Sequence, residues 1–354
     1  MNIDIFKIPT RISERKRRSR GSSSVTLDIL SAFLQREYVI SVFIDLKAAY
    51  DGVLLDILIT RMKNLGIPSI FIRVIYNIFI NRIIKIQSNG LYTSPRYTNQ
   101  GLPQGSVLSP ILFLLYTKDI THQLSTKVRI IQYADDFVLY YRTQDITEGK
   151  KKIADALSHL EQWCTNSGLN INWMKTKIIN FHRKRKDPPI NLTISLHRIE
   201  EVQYIKYLGL MVDKKLKWQQ QLKYINTKAN IFHNFLKKIS GKSWGVDPRP
   251  LQTIYQQTFE PIIYGSCHIV SHNNLSIQRK FESIQHQLLC YIFKLTPTCG
   301  SEALFVETRT VPFQIQALYV SQKLLLNFVQ VTNSMVLPRL QLLSTTLHTK
   351  PFIG

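Results

Sequence analysis

Two adjacent carboxylates, Asp135 and Asp136, stand between apolar runs: Ile130, Ile131 and Tyr133 before them, Phe137, Val138, Leu139 and Tyr140 after. Such runs predict two short strands, with a turn that would carry both acids to an exposed tip. Carboxylates beside buried strands are costly unless they meet water or a cation. An ordinary Asp-Asp hairpin turn is the plainer alternative. A third acid, Asp45, ends a similar run, Val42-Phe43-Ile44. Acids at strand ends suit hard cations that prefer oxygen ligands. Two divalent ions held this way can carry in-line phosphoryl transfer, lowering the pKa of an attacking hydroxyl and steadying phosphate charge. Ninety positions separate Asp45 from Asp135, so the site requires two strands lying side by side.

The elements that must position these acids are legible from spacing. Residues 25–38 have helical periodicity and precede a strand at 39–46. Asp51 to Leu65 reads as a helix closed by Gly66-Ile67-Pro68, and a second helix runs from about Ser69 to Asn81. Strand-like Ile83 to Ile86 and the turn Ser88-Asn89-Gly90 predict a hairpin. A glycine-rich loop, Gln100 to Ser106, leads to Ser109-Pro110 and an apolar helix from Ile111. After the Asp-Asp pair, Glu148 to Ser167 is amphipathic and ends at Gly168. Strands at 177–181 and about 203–212 flank the basic loop Arg183-Lys184-Arg185-Lys186. Beyond Leu216 the chain turns helical, with helices expected at 216–236 and 251–264. Strands and helices mix without strict βαβ alternation, which predicts an α+β fold with an antiparallel core.

Charge narrows the partner class. The 354 residues carry 46 Lys and Arg against 23 Asp and Glu, a formal charge of +23. That imbalance favours an extended polyanion such as nucleic acid. No apolar run approaches the roughly 20 residues of a spanning helix, and the N-terminus shows no signal-peptide core. A membrane partner is therefore not expected, and the chain reads as intracellular, nuclear or cytoplasmic. The four cysteines form no Cys-x-x-Cys pair. A zinc site drawing on Cys267, His268, Cys290 and Cys299 fits no familiar knuckle spacing, so buried thiols are the expectation.

With these residues in view, the sequence resembles the reverse transcriptases. Val42-Phe43-Ile44-Asp45-Leu46-Lys47-Ala48-Ala49-Tyr50-Asp51 resembles their motif A, Gly101-Leu102-Pro103-Gln104-Gly105-Ser106 their motif B, and Tyr133-Ala134-Asp135-Asp136 their motif C. Gly168 to Asn172 with Lys175 is similar to motif D, and Tyr207-Leu208-Gly209 to motif E. The likeness is greatest to non-LTR retrotransposons of the jockey or R1 type and covers about residues 25–270. It implies a palm with incomplete fingers, followed by a mostly helical thumb and C-terminal region. It also implies RNA-directed DNA polymerase activity: Asp45, Asp135 and, more loosely, Asp136 holding two Mg²⁺ ions (Mn²⁺ as an alternative) for addition of a dNTP to a DNA primer on an RNA template. Leu46, Tyr50, Gln104 and Gly105 would bind the nucleotide, with Tyr50 under the deoxyribose against a ribose 2′-hydroxyl. Lys175 would protonate the leaving pyrophosphate, and Leu208 and Gly209 would form the primer grip. The plainer readings are a core tyrosine at 50, a turn at Pro103-Gln104-Gly105 and a solvated Lys175. Basic clusters at 183–186 and at Lys214, Lys215 and Lys217 suit a phosphate backbone.

The expected organisation is a basic flexible arm at 1–24, partial fingers and palm at 25–212, a thumb at 213–300 and a helical extension at 301–354. Only 44 residues precede Asp45. The earlier fingers motif, an endonuclease and a ribonuclease H have no counterpart, so the sequence reads as a truncated copy needing an endonuclease in trans. A catalytically silent nucleic-acid-binding remnant and a group II intron maturase-like reverse transcriptase are the alternatives. A viral RNA polymerase, which more often shows Gly-Asp-Asp at this point, stands further off.

Overall fold

Every residue of Tyr38–Ile44 (β1) is buried, and its Val and Ile content suits the centre of a sheet covered on both faces. The computed structural model describes residues 25–122, 128–240, 246–265 and 275–330. The sheet's other strands are Arg129–Tyr133 (β2), Asp136–Thr143 (β3), Lys177–Phe181 (β4) and Glu200–Glu201 (β5), in the order β5-β4-β1-β3-β2. Every pairing is antiparallel except the short parallel β4–β5 contact. The architecture is α+β, as the mixed element order predicts.

Around this sheet stand Leu55–Asn64 (α1), Ser69–Phe79 (α2), Ser109–Tyr116 (α3) and Ile146–Asn166 (α4). Asp145 caps α4 by accepting the Thr147 N–H at 2.9 Å, a contact typically worth about 1 kcal/mol. The helix buries Ile153, Leu157, Leu160 and Trp163. These join Ile40, Val42, Leu139 and Ile178 of the sheet in one core. Gly149 lets α4 lie close, since a Cβ there would stand 2.8 Å from both Ile40 Cδ1 and Thr143 Cγ2. The first helix begins at Leu55 rather than at Asp51. Asp51 and Gly52 instead donate their N–H groups to the Ala48 carbonyl, each at 2.9 Å, and form a turn.

Compactness divides the chain into two units, one holding residues 36–202 and the other, among the described residues, 25–35 and 203–330. This division differs from the one composition suggests. The break follows Val202 because the next hairpin is bound to what comes after it. That hairpin is Tyr204–Tyr207 (β6) and Leu210–Asp213 (β7), and the Met211 N–H donates to Gln221 Oε1 at 2.7 Å.

Gln219–Ile239 (α5) starts three residues later than periodicity predicts. The Asp213 carboxylate accepts the N–H groups of Lys217 and Trp218 at 2.9 and 2.8 Å, which holds a loop there. Pro248–Ile254 (α6), a π-helical segment Tyr255–Phe259 and Glu260–Tyr264 (α7) follow, then Leu275–Ile292 (α8), Ser301–Glu307 (α9) and Phe313–Gln330 (α10). A buried helix at 25–34 belongs to this second unit. The basic arm at 1–24, Cys267, His268 and residues 331–354 lie outside the described residues. Among the described residues, no helix is long and apolar enough to cross a membrane.

Candidate active site at the strand ends

Register brings the three acids to one end of the sheet. Ile44 of β1 pairs with Phe137 of β3, so Asp45 and Asp136 are each one step beyond that pair. Tyr133 pairs with Asp136 across a two-residue turn made by Ala134 and Asp135. Ala134 sits at φ +52°, a left-handed conformation costing a residue with a Cβ on the order of 1 kcal/mol. Gln132 holds the turn: its Nε2 donates to the Ala134 carbonyl at 2.9 Å and to Thr117 Oγ1 at 2.6 Å.

Past Asp45 the chain leaves the main sheet. Leu46 and Lys47 pair with Ile171 and Asn170 in a separate two-stranded ladder. This pairing delivers Asn172 to Asp45. The Asn172 backbone N–H donates to the Asp45 carbonyl at 2.8 Å, and its side-chain amide donates to Asp45 Oδ2 at 3.0 Å. Lys175 Nζ is 3.8 Å from the same oxygen, with the lysine side chain 72 % exposed and that of Asp45 38 %. An ion pair this exposed adds little stability.

The glycine-rich loop is laced to the segment after Asp45. Gly101 donates its N–H to the Val53 carbonyl and Leu102 to the Tyr50 carbonyl, both at 2.8 Å. At Gly101, φ is +82°, and a Cβ would stand 3.0 Å from Asp51 Cα, so only glycine fits. Ser109 Oγ donates to the Pro103 carbonyl at 2.7 Å and ties the loop to α3. Tyr50 lies against Phe113 of that helix, ring centroids 5.0 Å apart and planes 30° from parallel. Phe113 is fully buried, so the exposed edge of Tyr50 rests on a fixed support.

These pieces enclose a cavity of about 460 Å³, lined by Asp45, Leu46, Tyr50, Gln104, Asp135, Asn172 and Lys175 among others. Six residues singled out from sequence thus meet there. Gly105 and Asp136 stand outside the lining, Asp136 at the exposed first position of β3. Leu208 and Gly209 form the β6–β7 turn of the second unit, with φ +48° and +87°. Of the basic clusters, Arg183, Arg185 and Lys186 are exposed, and Lys184 Nζ lies 3.8 Å from the Tyr38 ring centroid. Lys214 is buried and does not belong to a phosphate-facing surface, whereas Lys215 and Lys217 are exposed.

Two structural residues escaped the sequence reading. Asn172 lay within the stretch similar to motif D, but only the short ladder reveals its amide as the partner of Asp45. Arg61 is a hub that spacing does not show. It donates to the Tyr116 carbonyl and, at 2.7 Å, to Ser167 Oγ, pairs with Asp119 at 3.3 Å and covers the Tyr116 and Trp163 rings. Arginine's planar fork allows this many simultaneous partners.

Sheet, strand-end acids and glycine-rich loop together have the arrangement of a polymerase palm. Residues 7–212 match the family model described as reverse transcriptase (RNA-dependent DNA polymerase), and the chain belongs to that family. Among curated relatives it is 30 % identical over 250 residues to the probable RNA-directed DNA polymerase from transposon BS of Drosophila melanogaster, covering 68 % of this chain and 27 % of that one. It is 27 % identical over 221 residues to the RNA-directed DNA polymerase from mobile element jockey of Drosophila funebris, covering 61 % and 23 %. The chain thus spans about a quarter of the length of these relatives. Among solved structures, apo telomerase from Candida tropicalis aligns at a TM-score of 0.43 and 15 % identity over 91 % of this chain and 56 % of that one.

Proposed function

We propose that the chain is the palm and thumb of an RNA-directed DNA polymerase of a non-LTR retrotransposon, extending a DNA primer with dNTPs on an RNA template. One observation carries this reading: Asp45, Tyr50, Gln104, Asp135 and Lys175, from separate stretches of chain, line a single cavity. The donor set fits Mg²⁺, because hard carboxylate oxygens face a polar cavity and no sulfur or imidazole joins its lining. Asp45 and Asp135 would hold the metal, with Asp136 in support. When bound, Mg²⁺ would lower the pKa of the primer 3′-hydroxyl and offset triphosphate charge.

The chain's own groups do the rest. Asn172 fixes the Asp45 carboxylate by occupying one of its oxygens and leaving the other free. Tyr50, backed by Phe113, forms a wall that admits a deoxyribose and crowds a 2′-hydroxyl. Gln104 sits on the loop pinned beside Tyr50 and would contact the incoming nucleotide. Lys175, largely exposed, would leave Asp45 for the triphosphate and give its proton to the departing pyrophosphate oxygen. The surplus of basic residues supplies sequence-independent attraction to a template–primer duplex.

Primer extension on poly(rA)·oligo(dT) with Mg²⁺ tests the reading. Wild-type extension with a loss on the order of a thousandfold in Asp135→Ala is the expected result. Equal extension by both proteins, or tight template–primer binding with none, would instead favour a silent nucleic-acid-binding remnant.

A further inference from the structure

The second unit carries a cluster that the proposed function does not use. Helix α8 presents His286 and Cys290 one turn apart on one face, the i, i+4 spacing that places two side chains together. At its C-terminus the helix closes with Lys294 at φ +56°. The Leu295 N–H bonds the Cys290 carbonyl at 2.9 Å and the Lys294 N–H that of Tyr291 at 3.3 Å, a paired closure that reverses the chain. A turn over Thr296-Pro297-Thr298-Cys299 follows, with the Cys299 N–H donating to the Thr296 carbonyl at 3.1 Å. The reversal brings Cys299 back over the helix it has just left.

There its Sγ lies 3.5 Å from Cys290 Sγ. Cys290 Sγ and Cys299 Sγ are each 3.7 Å from His286 Nε2, and one ligand atom from each residue falls within 4.8 Å of the others. These separations match the edges of a coordination tetrahedron. With Zn–S of about 2.3 Å and Zn–N of about 2.0–2.1 Å, the S···S edge is about 3.8 Å and the S···N edge about 3.6 Å. A disulfide needs sulfurs about 2.0 Å apart, much closer than these.

We infer that His286, Cys290 and Cys299 form a structural zinc site that fastens the C-terminal end of α8 to the loop entering α9. The imidazole is already oriented for it. Its Nε2, the nitrogen that both sulfurs approach, lies 3.0 Å from the Cys299 carbonyl and would exchange that hydrogen bond for the metal, the ring proton moving to Nδ1. Cys290 is 3 % exposed. Solvent reaches the site past Cys299 and His286, both partly exposed, so a water would complete the fourth vertex. Two thiolates and an imidazole select a soft-tolerant ion such as Zn²⁺ over Mg²⁺.

The full chain, purified under reducing conditions and dialysed against micromolar Zn²⁺, should hold about one zinc per molecule by elemental analysis. Cys290→Ser and Cys299→Ser should each lower zinc affinity at least tenfold, while Cys164→Ser keeps it. Replacement with Co²⁺ should give intense tetrahedral ligand-field bands and a thiolate charge-transfer band, both retained in Asp45→Ala and Asp135→Ala. Were the serine variants to fail to fold, the wild-type cobalt spectrum would still decide, because a missing thiolate band overturns the site. Zinc retained unchanged in Cys290→Ser, or a Cys290–Cys299 disulfide as the sole link between the two after purification, overturns it equally.

Discussion

Asn172 grips Asp45 twice, through its backbone N–H to the Asp45 carbonyl at 2.8 Å and through its side-chain amide to Oδ2 at 3.0 Å. The acid that begins the motif A-like loop is therefore aimed by a residue 127 positions away. Removing the amide in Asn172→Ala should leave the fold intact and lower kcat by roughly 10–100-fold, the usual cost of losing a partner of a metal-ligating group. A Mg²⁺ titration separates positioning from collapse. The Mg²⁺ concentration giving half-maximal extension should rise, and an unchanged midpoint would mean that Asp45 needs no such guide.

Tyr50 reaches the cavity with Phe113 behind it. Truncation in Tyr50→Val opens the space that a 2′-hydroxyl would occupy, so ribonucleotide incorporation should rise tenfold or more relative to dNTPs. Tyr50→Phe should keep the wild-type ratio. The comparison is of kcat/KM for each sugar, and selectivity unaltered in an active Tyr50→Val enzyme would strip the residue of this role.

At Gly101 a side chain meets two penalties, the left-handed φ of +82° and the Asp51 backbone 3.0 Å from the new Cβ. Gly101→Ala should destabilise the protein by about 1–3 kcal/mol. Because the displaced loop carries Gln104, KM for the nucleotide should also rise. Urea denaturation and steady-state kinetics check the two effects separately. Gly105, whose Cβ would meet nothing within 4 Å, should tolerate alanine with only the conformational penalty.

Glu260, at the start of α7, has its carboxyl pKa raised from the ordinary value of 4.5, chiefly by burial. A folded-state pKa above the unfolded one means that the native protein holds more protons between the two values. The contribution of this carboxyl to stability is then greatest below about pH 4.5 and declines as pH climbs through the raised pKa. Glu260→Gln removes that slope and should raise Tm at neutral pH. Melting curves from pH 4 to 8 for both proteins test it, and parallel profiles would show that burial of this acid has no thermodynamic weight.

What was legible in sequence followed from local pattern. The apolar run Val42-Phe43-Ile44 marked a strand leading to Asp45, and the Asp-Asp pair between two such runs marked a hairpin tip. Periodicity found α4 within two residues at its N-terminus, where Asp145 supplies the cap. Boundaries failed wherever a hydrogen bond between distant or backbone groups overrode propensity. The Ala48 carbonyl captured the N–H groups that would have opened α1 early, and Asp213 did the same before α5. Asn172, Arg61 and His286 were invisible for one shared reason: each has its role through partners that only the folded backbone brings near. Lys214 shows the converse, a charge in a basic run that the fold buries.

The helix at 25–34 emerges from the ribosome before any of β1, yet the unit it belongs to begins again only at Gln203. At about 5–20 residues per second, the 167 intervening positions, 36–202, take roughly 8–33 s to synthesise. Throughout that interval Ile29 and Ala32, both buried in the finished protein, await the rest of the unit that covers them. The sheet and its acids can assemble first, as an insertion completed inside a domain whose two ends must still find each other.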